Sequence, residues 1–204
     1  MLIKEQRPVP ELTRSSLVER LRGVCDHASW EVFFDQYWQL IYHVARRAGL
    51  AEADAEDVVQ ETVVEVAGSV DGFERERPGS FRSWLCAITR TKIAMFYRKE
   101  YRQQRKLDVY GEAMEARNEG AQTPELEGIW NEEWQRNILQ AALEQVKRQV
   151  SPRQYQIFHC HVLREWTVAE VAAQLDVSAG MVYVTKHRVN AIFKKELQKL
   201  QEEE

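Results

Sequence analysis

The side chains best suited to chemistry in this 204-residue sequence are cations and aromatics set at helical spacing. Tyr183, Val184, Lys186, His187 and Arg188 fall on the outer side of any helix that buries Val182, Val189 and Phe193. Such a face can enter a DNA major groove. Arg188 can grip guanine or a phosphate, His187 can donate to either, and Val184 can meet a thymine methyl. Lys194, Lys195 and Lys199 prolong the positive charge.

A second basic stretch runs through Arg82, Arg90, Lys92, Arg98, Lys99, Arg102, Arg105 and Lys106, interleaved with Phe96 and Tyr97. Cations for phosphates beside rings for bases are what a single strand requires. Glu52, Asp54, Glu56, Asp57, Glu61 and Glu65 concentrate the opposite charge, so the two stretches face different partners although the net charge is only −4. His159-Cys160-His161 has metal-ligating types, but adjacent helical residues point about 100° apart and no second ligand cluster accompanies them. No metal and no cofactor are expected.

The elements that must position these residues are helices. Apolar residues recur at steps of three and four, no hairpin signal joins β-branched runs, and the fold class is all-α, with two small helical domains joined by a flexible linker. A short helix is expected from a Ser16–Glu19 capping box to Arg22. A long one follows, with Trp30, Phe33, Phe34, Tyr37, Leu40, Ile41, Val44 and Ala45 inward, ending near Gly49. Residues 51–67 present Val58, Val59, Thr62, Val63 and Val66 to the core and keep an acidic outer face. A loop of about a dozen residues spans Gly68 to Gly79. The helix from Ser80 is expected to bury Phe81, Trp84, Leu85, Ile88, Lys92, Met95 and Phe96.

The domains are read as 13–106, a linker at 107–123, and 124–204. Gly111, Gly120 and a paucity of large apolar residues mark the linker, which could reach roughly 55 to 60 Å when extended. The second domain carries Thr123-Pro124, Ser151-Pro152-Arg153-Gln154 and Thr167-Val168-Ala169-Glu170 as helix starts, and Ser178 as the cap of the last helix. The third and fourth of these enclose a helix-turn-helix: Ala172 is small where the helices approach, Val182 closes the corner, and Asp176 occupies a turn that favours positive φ. Cys25, Cys86 and Cys160 are few and far apart, as reduced thiols in a core would be. The start of the chain lacks a secretory pattern and no apolar run approaches the roughly 18 residues of a membrane span, so a cytoplasmic protein without membrane insertion is expected.

Phe33-Phe34-x-x-Tyr37, Asp54-Ala55-Glu56-Asp57-Val58-Val59-Gln60-Glu61 and Phe81-Arg82-Ser83-Trp84-Leu85-x-x-Ile88-x-Arg90 resemble region 2 of sigma factors. Residues Glu132 to Leu200 resemble region 4, and the compact whole resembles the extracytoplasmic-function (ECF) group. The resemblance implies a transcription initiation factor, not an enzyme, whose partners are core RNA polymerase and promoter DNA, with an anti-sigma factor as an open third. It assigns polymerase binding to Asp57, Gln60 and Glu61. Minus-10 recognition goes to the loop from Phe73 to Gly79 and to Arg90, Lys92, Tyr97, Arg98 and Lys99, with Phe96 the better core candidate of the two adjacent rings. Minus-35 recognition goes to Tyr183, Val184, Lys186, His187 and Arg188. Relatives commonly carry asparagine and aspartate where this chain has Thr91 and Met95, which implies a different promoter preference. An operator-binding repressor or activator would fit the helix-turn-helix alone, but would bind DNA tightly without polymerase.

Overall fold

A computed structural model describes residues 14–22, 27–74, 79–105 and 124–202, and among these every regular element is helical. The contacts separate a first unit reaching through Trp134 from a second spanning Gln135–Glu202. The linker read at 107–123 lies outside the described residues.

In the first unit α1 (Arg14–Leu21), α2 (His27–Arg47), α3 (Glu52–Ser69) and α4 (Ser80–Arg105) pack in sequence order, α1 on α2, α2 on α3 and α3 on α4. Helix α1 begins two residues before Ser16, so that serine lies inside the helix and not at its cap. Leu17, Val18 and Leu21 are its buried face. Helix α2 buries Phe33, Tyr37, Leu40, Ile41, Val44 and Ala45, as its periodicity requires. Phe34, expected inward, is exposed and stacks on Trp38 at 6.2 Å.

Two residues past the end of α2, Gly49 takes a φ of 103°, which suits a residue without Cβ. Leu50 N–H then reaches back to the Ala45 carbonyl at 3.2 Å. Helix α3 has no side-chain cap at Ala51; Glu52 and Asp54 sit in its first turn, where the helix dipole favours anions. It buries Ala55, Val58, Val59, Thr62 and Val66.

The inner line of α4 differs from the expected one. Phe81, Leu85, Thr89, Ile93 and Tyr97 are buried at steps of four, whereas Met95 is 48% exposed and Lys92 and Phe96 are only half-buried. The cause is Thr89, whose hydroxyl donates to the Leu85 carbonyl at 2.9 Å and so enters the core satisfied. A stripe drawn through apolar residues alone misses this position and comes out rotated on the helix.

Helix α5 (Pro124–Gln149) gives its residues through Trp134 to the first unit and the remainder to the second. Leu126, Trp130 and Trp134 are buried, and Trp134 stacks on Tyr37 at 6.0 Å. Glu133, 2% exposed, accepts from Arg47 Nη1 at 2.8 Å, while Arg47 Nη2 lies 2.7 Å from Glu132. These carboxylates, Glu133 first, hold the Arg47 guanidinium above its ordinary pKa.

The second unit continues with α6 (Pro152–Phe158), a π turn at His159–Leu163, α7 (Val168–Leu175) and α8 (Ala179–Glu202). The helix capped by Ser151 therefore changes winding after Phe158. Ile157, Cys160, Val171, Leu175 and Val182 form one core, and Val146, Phe158 and Val189 another. Both Cys86 and Cys160 are free and buried. Burial pushes the Cys86 thiol above its ordinary pKa, partly countered by Arg90.

Candidate nucleic-acid interface

Local rules set the helix-turn-helix. Thr167 accepts from Glu170 N–H at 3.3 Å and Glu170 Oε2 accepts from Thr167 N–H at 2.7 Å, a complete capping box at the start of α7. The Thr167 hydroxyl adds a bond to the same carboxylate, and the side-chain and backbone donors together lower the Glu170 pKa. Ser151 and Gln154 make the equivalent box on α6. At the end of α7 Asp176 takes φ 48°, ψ 59°, the left-handed turn expected of it. Arg153 spans the corner, its guanidinium donating to the Leu175 carbonyl. Ser178 then accepts from Met181 N–H at 3.2 Å and starts α8.

With Val182, Thr185 and Val189 fully buried, α8 is fixed in rotation. Tyr183 and Val184 are 60% and 67% exposed, and Lys186, His187 and Arg188 are exposed beside them. All five line one shallow surface concavity together with Asn190. Met181, at the first turn of α8, is also exposed and was not singled out from the sequence. Its distance of three residues from Val184 places it on the same side of the helix.

On α3, Asp57, Gln60 and Glu61 are all exposed and occupy adjacent positions on one face at i, i+3 and i+4. Val64, the next residue on that face, is 71% exposed. It extends the polar face with an apolar residue at its C-terminal end, and the same i+3 and i+4 spacing could have found it. Glu65 is drawn away from this face by a 3.0 Å ion pair with Lys92.

The residues expected to handle a melted strand divide. Arg98 and Lys99 are exposed. Arg90 is half-buried beside the Cys86 thiol. Lys92 lies against Glu65 with little of its side chain in solvent. Tyr97 is a correction: its ring is buried and its hydroxyl donates to the Ala48 carbonyl at 2.6 Å, so it offers no stacking surface. The order expected for the two adjacent rings is reversed, since Phe96 is the more open one.

Phe73 is likewise buried, as a wall of the fold rather than a free ring. It packs on Trp84 at 4.8 Å and edge-on against Phe81 at 6.1 Å. The Arg22 guanidinium donates to its carbonyl and ties the loop to α1. Beside it opens a concavity of about 720 Å³ lined by Gly68, Ser69, Gly72, Phe73, Glu74, Ser80 and Trp84. Sequence spacing did not reveal it, because the lining comes from the end of α3, the 3₁₀ turn Val70–Gly72 and the start of α4. Residues 75–78 of the expected loop lie outside the described set.

Among the described residues no group of His, Cys, Asp and Glu could hold a metal ion. His161 instead uses Nδ1 on the Trp166 carbonyl at 2.7 Å. No described helix is long and apolar enough to cross a membrane.

Residues 33–103 match the profile of Sigma-70 region 2. The ECF RNA polymerase sigma factor SigE of Mycolicibacterium smegmatis is 27% identical over 186 residues, which cover 89% of this chain and 66% of SigE. The RNA polymerase sigma factor CnrH of Cupriavidus metallidurans is 43% identical over 54 residues, covering 26% of this chain and 27% of CnrH. The matched stretches thus span just under two thirds and about a quarter of those relatives. A solved structure of CnrH in complex with the cytosolic domain of CnrY is 20% identical, covers 89% of this chain and 95% of that one, and has a TM-score of 0.36.

Proposed function

We propose that this chain, similar over residues 33–103 to Sigma-70 region 2 and over most of its length to an ECF sigma factor, delivers core RNA polymerase to promoter DNA and opens the duplex there. It acts as a cytoplasmic regulator, not as a catalyst. Residues 13–106 serve as region 2, 107–123 as the linker and 124–204 as region 4.

Asp57, Gln60 and Glu61 dock on a basic surface of the polymerase, with Val64 as an apolar contact beside them. Charge complementarity speeds and orients such docking more than it tightens it. The concavity beside Phe73 receives a base that has left the stack, and Trp84 supplies a ring at its edge. Arg98 and Lys99 hold the phosphates of that strand. The exposed face of α8 enters the major groove of the minus-35 element, where Arg188 and His187 meet bases or phosphates. An anti-sigma factor is a third partner this function allows, and co-purification would reveal it.

The observation that carries the proposal is the conjunction in one chain of a Sigma-70 region 2 and, outside the matched segment, a capped helix-turn-helix with all five candidate reading residues exposed. Run-off transcription with purified core polymerase and a genomic promoter library tests it. The protein should confer initiation at a subset of promoters. Asp57→Lys with Glu61→Lys should lose core polymerase in a pull-down, and Arg188→Ala should retain the polymerase while lowering initiation about tenfold, the effect of a bidentate base contact. Tight operator binding by the isolated protein, with no effect of core polymerase, would establish the repressor alternative instead.

A further inference from the structure

Ala87, Thr91 and Met95 recur every four residues along the outer face of α4, and all three are exposed. The face is otherwise basic toward its C-terminal end, where Arg98, Lys99 and Arg102 are exposed. Toward its N-terminal end lies Trp84, a wall of the concavity beside Phe73. An uncharged strip therefore separates the candidate base pocket from the candidate phosphate-binding cations.

The strip is poor in hydrogen-bonding capacity. The Thr91 hydroxyl spends its proton on the Ala87 carbonyl at 2.8 Å. Met95 has no N–H or O–H donor, and its thioether is a weak acceptor. A surface of this kind gains little from the polar edges of guanine, cytosine or adenine. The C5-methyl of thymine is the apolar group that a base edge presents in the groove. The cations at the C-terminal end of the strip point to a nucleic acid as the occupant, and the strip itself says which edge it favours.

Resting on the minus-10 role proposed above for this helix, we infer that Met95, with Thr91 and Ala87, selects thymine by packing on its C5-methyl group. Eleven residues separate Trp84 from Met95, about 16 Å at the helical rise. At about 3.4 Å per base step, the selected thymine lies within roughly five steps of the base taken by the concavity.

Uracil differs from thymine only by that methyl, so it isolates the contact. In run-off transcription from a promoter chosen from the library, each thymine of the minus-10 element on either strand is replaced in turn by uracil. The wild-type protein should lose about fourfold in open-complex formation at one position, the effect of one buried methyl group. Met95→Ala and Met95→Gln should initiate equally from thymine and uracil at that position, while binding core polymerase as the wild type does. The inference is overturned if no position distinguishes the two bases, or if Met95→Gln discriminates as well as the wild type. Loss of polymerase binding in either variant would also overturn it, because the strip would then be a protein contact. Failure of the wild-type protein to initiate from any promoter would instead sink the proposed function itself.

Discussion

Replacing Arg47 with Met should weaken the first unit by about 2 kcal/mol, a figure that follows from where its two carboxylates sit. Glu132 is 61% exposed, and an ion pair at such a site contributes up to about 1 kcal/mol. Glu133 is 2% exposed and accepts a charge-assisted bond of 2.8 Å. Hydrogen bonds to charged groups contribute about 1.5 to 3 kcal/mol. His43 Nδ1 lies 3.8 Å from the same carboxylate, an ion-pair separation longer than a hydrogen bond. Arg47 itself is more than a third exposed, and solvent screening therefore holds the sum at about 2 kcal/mol rather than the 3 to 5 of a fully buried pair. In urea, with a slope of about 2 kcal/mol/M, this is a fall of roughly 1 M in the unfolding midpoint. Tryptophan fluorescence would follow it, since Trp130 and Trp134 are buried in the same unit. Glu132→Gln should cost under about 0.5 kcal/mol. In a Glu133→Gln background, Arg47→Met should cost less than it does alone, with a coupling of about 1 to 2 kcal/mol. Equal costs for Arg47→Met and Glu132→Gln, or no coupling to Glu133, would refute the assignment of a buried clasp.

Two further expectations concern the helix-turn-helix. At φ 48°, ψ 59°, Asp176→Gly should leave the melting temperature unchanged or raise it, whereas Asp176→Val should cost about 1 to 2 kcal/mol, measured in the same thermal melts. Glu170 has a folded pKa below the ordinary carboxylate value of 4.5, so its contribution is present above that value and is lost as the pH falls through the depressed folded one. Glu170→Gln should therefore flatten the acid limb of the stability profile, and an unchanged limb in an acid titration followed by circular dichroism would show that the box does not titrate as assigned.

Features set within a few residues along the chain were legible before any fold was known. Ser151 with Gln154, Thr167 with Glu170, and Ser178 each fix a helix start through bonds spanning three residues, and Asp176 marks the left-handed turn because few other side chains tolerate it. The rotation of α8 was equally legible, since Val182 and Val189, seven residues apart, both point inward and leave Tyr183, Val184, Lys186, His187 and Arg188 outside. The acidic turn at Asp57, Gln60 and Glu61 followed from the same arithmetic.

Which of two adjacent, chemically similar side chains goes in depends on long-range packing. Tyr97 is buried and Phe96 is not because the end of α2 presents a carbonyl at Ala48 and leaves room at Gly49, where an added Cβ would come within 3.3 Å of the tyrosine hydroxyl. Thr89 displaced the inner line of α4 by satisfying its hydroxyl within its own helix, and Glu133 became buried because Arg47, 86 residues earlier, meets it. The concavity beside Phe73 needed three elements together. Periodicity and capping are written in short-range backbone geometry, whereas the partner of a polar group in the core depends on which distant atom packing brings within 3 Å, and no local pattern encodes that distance.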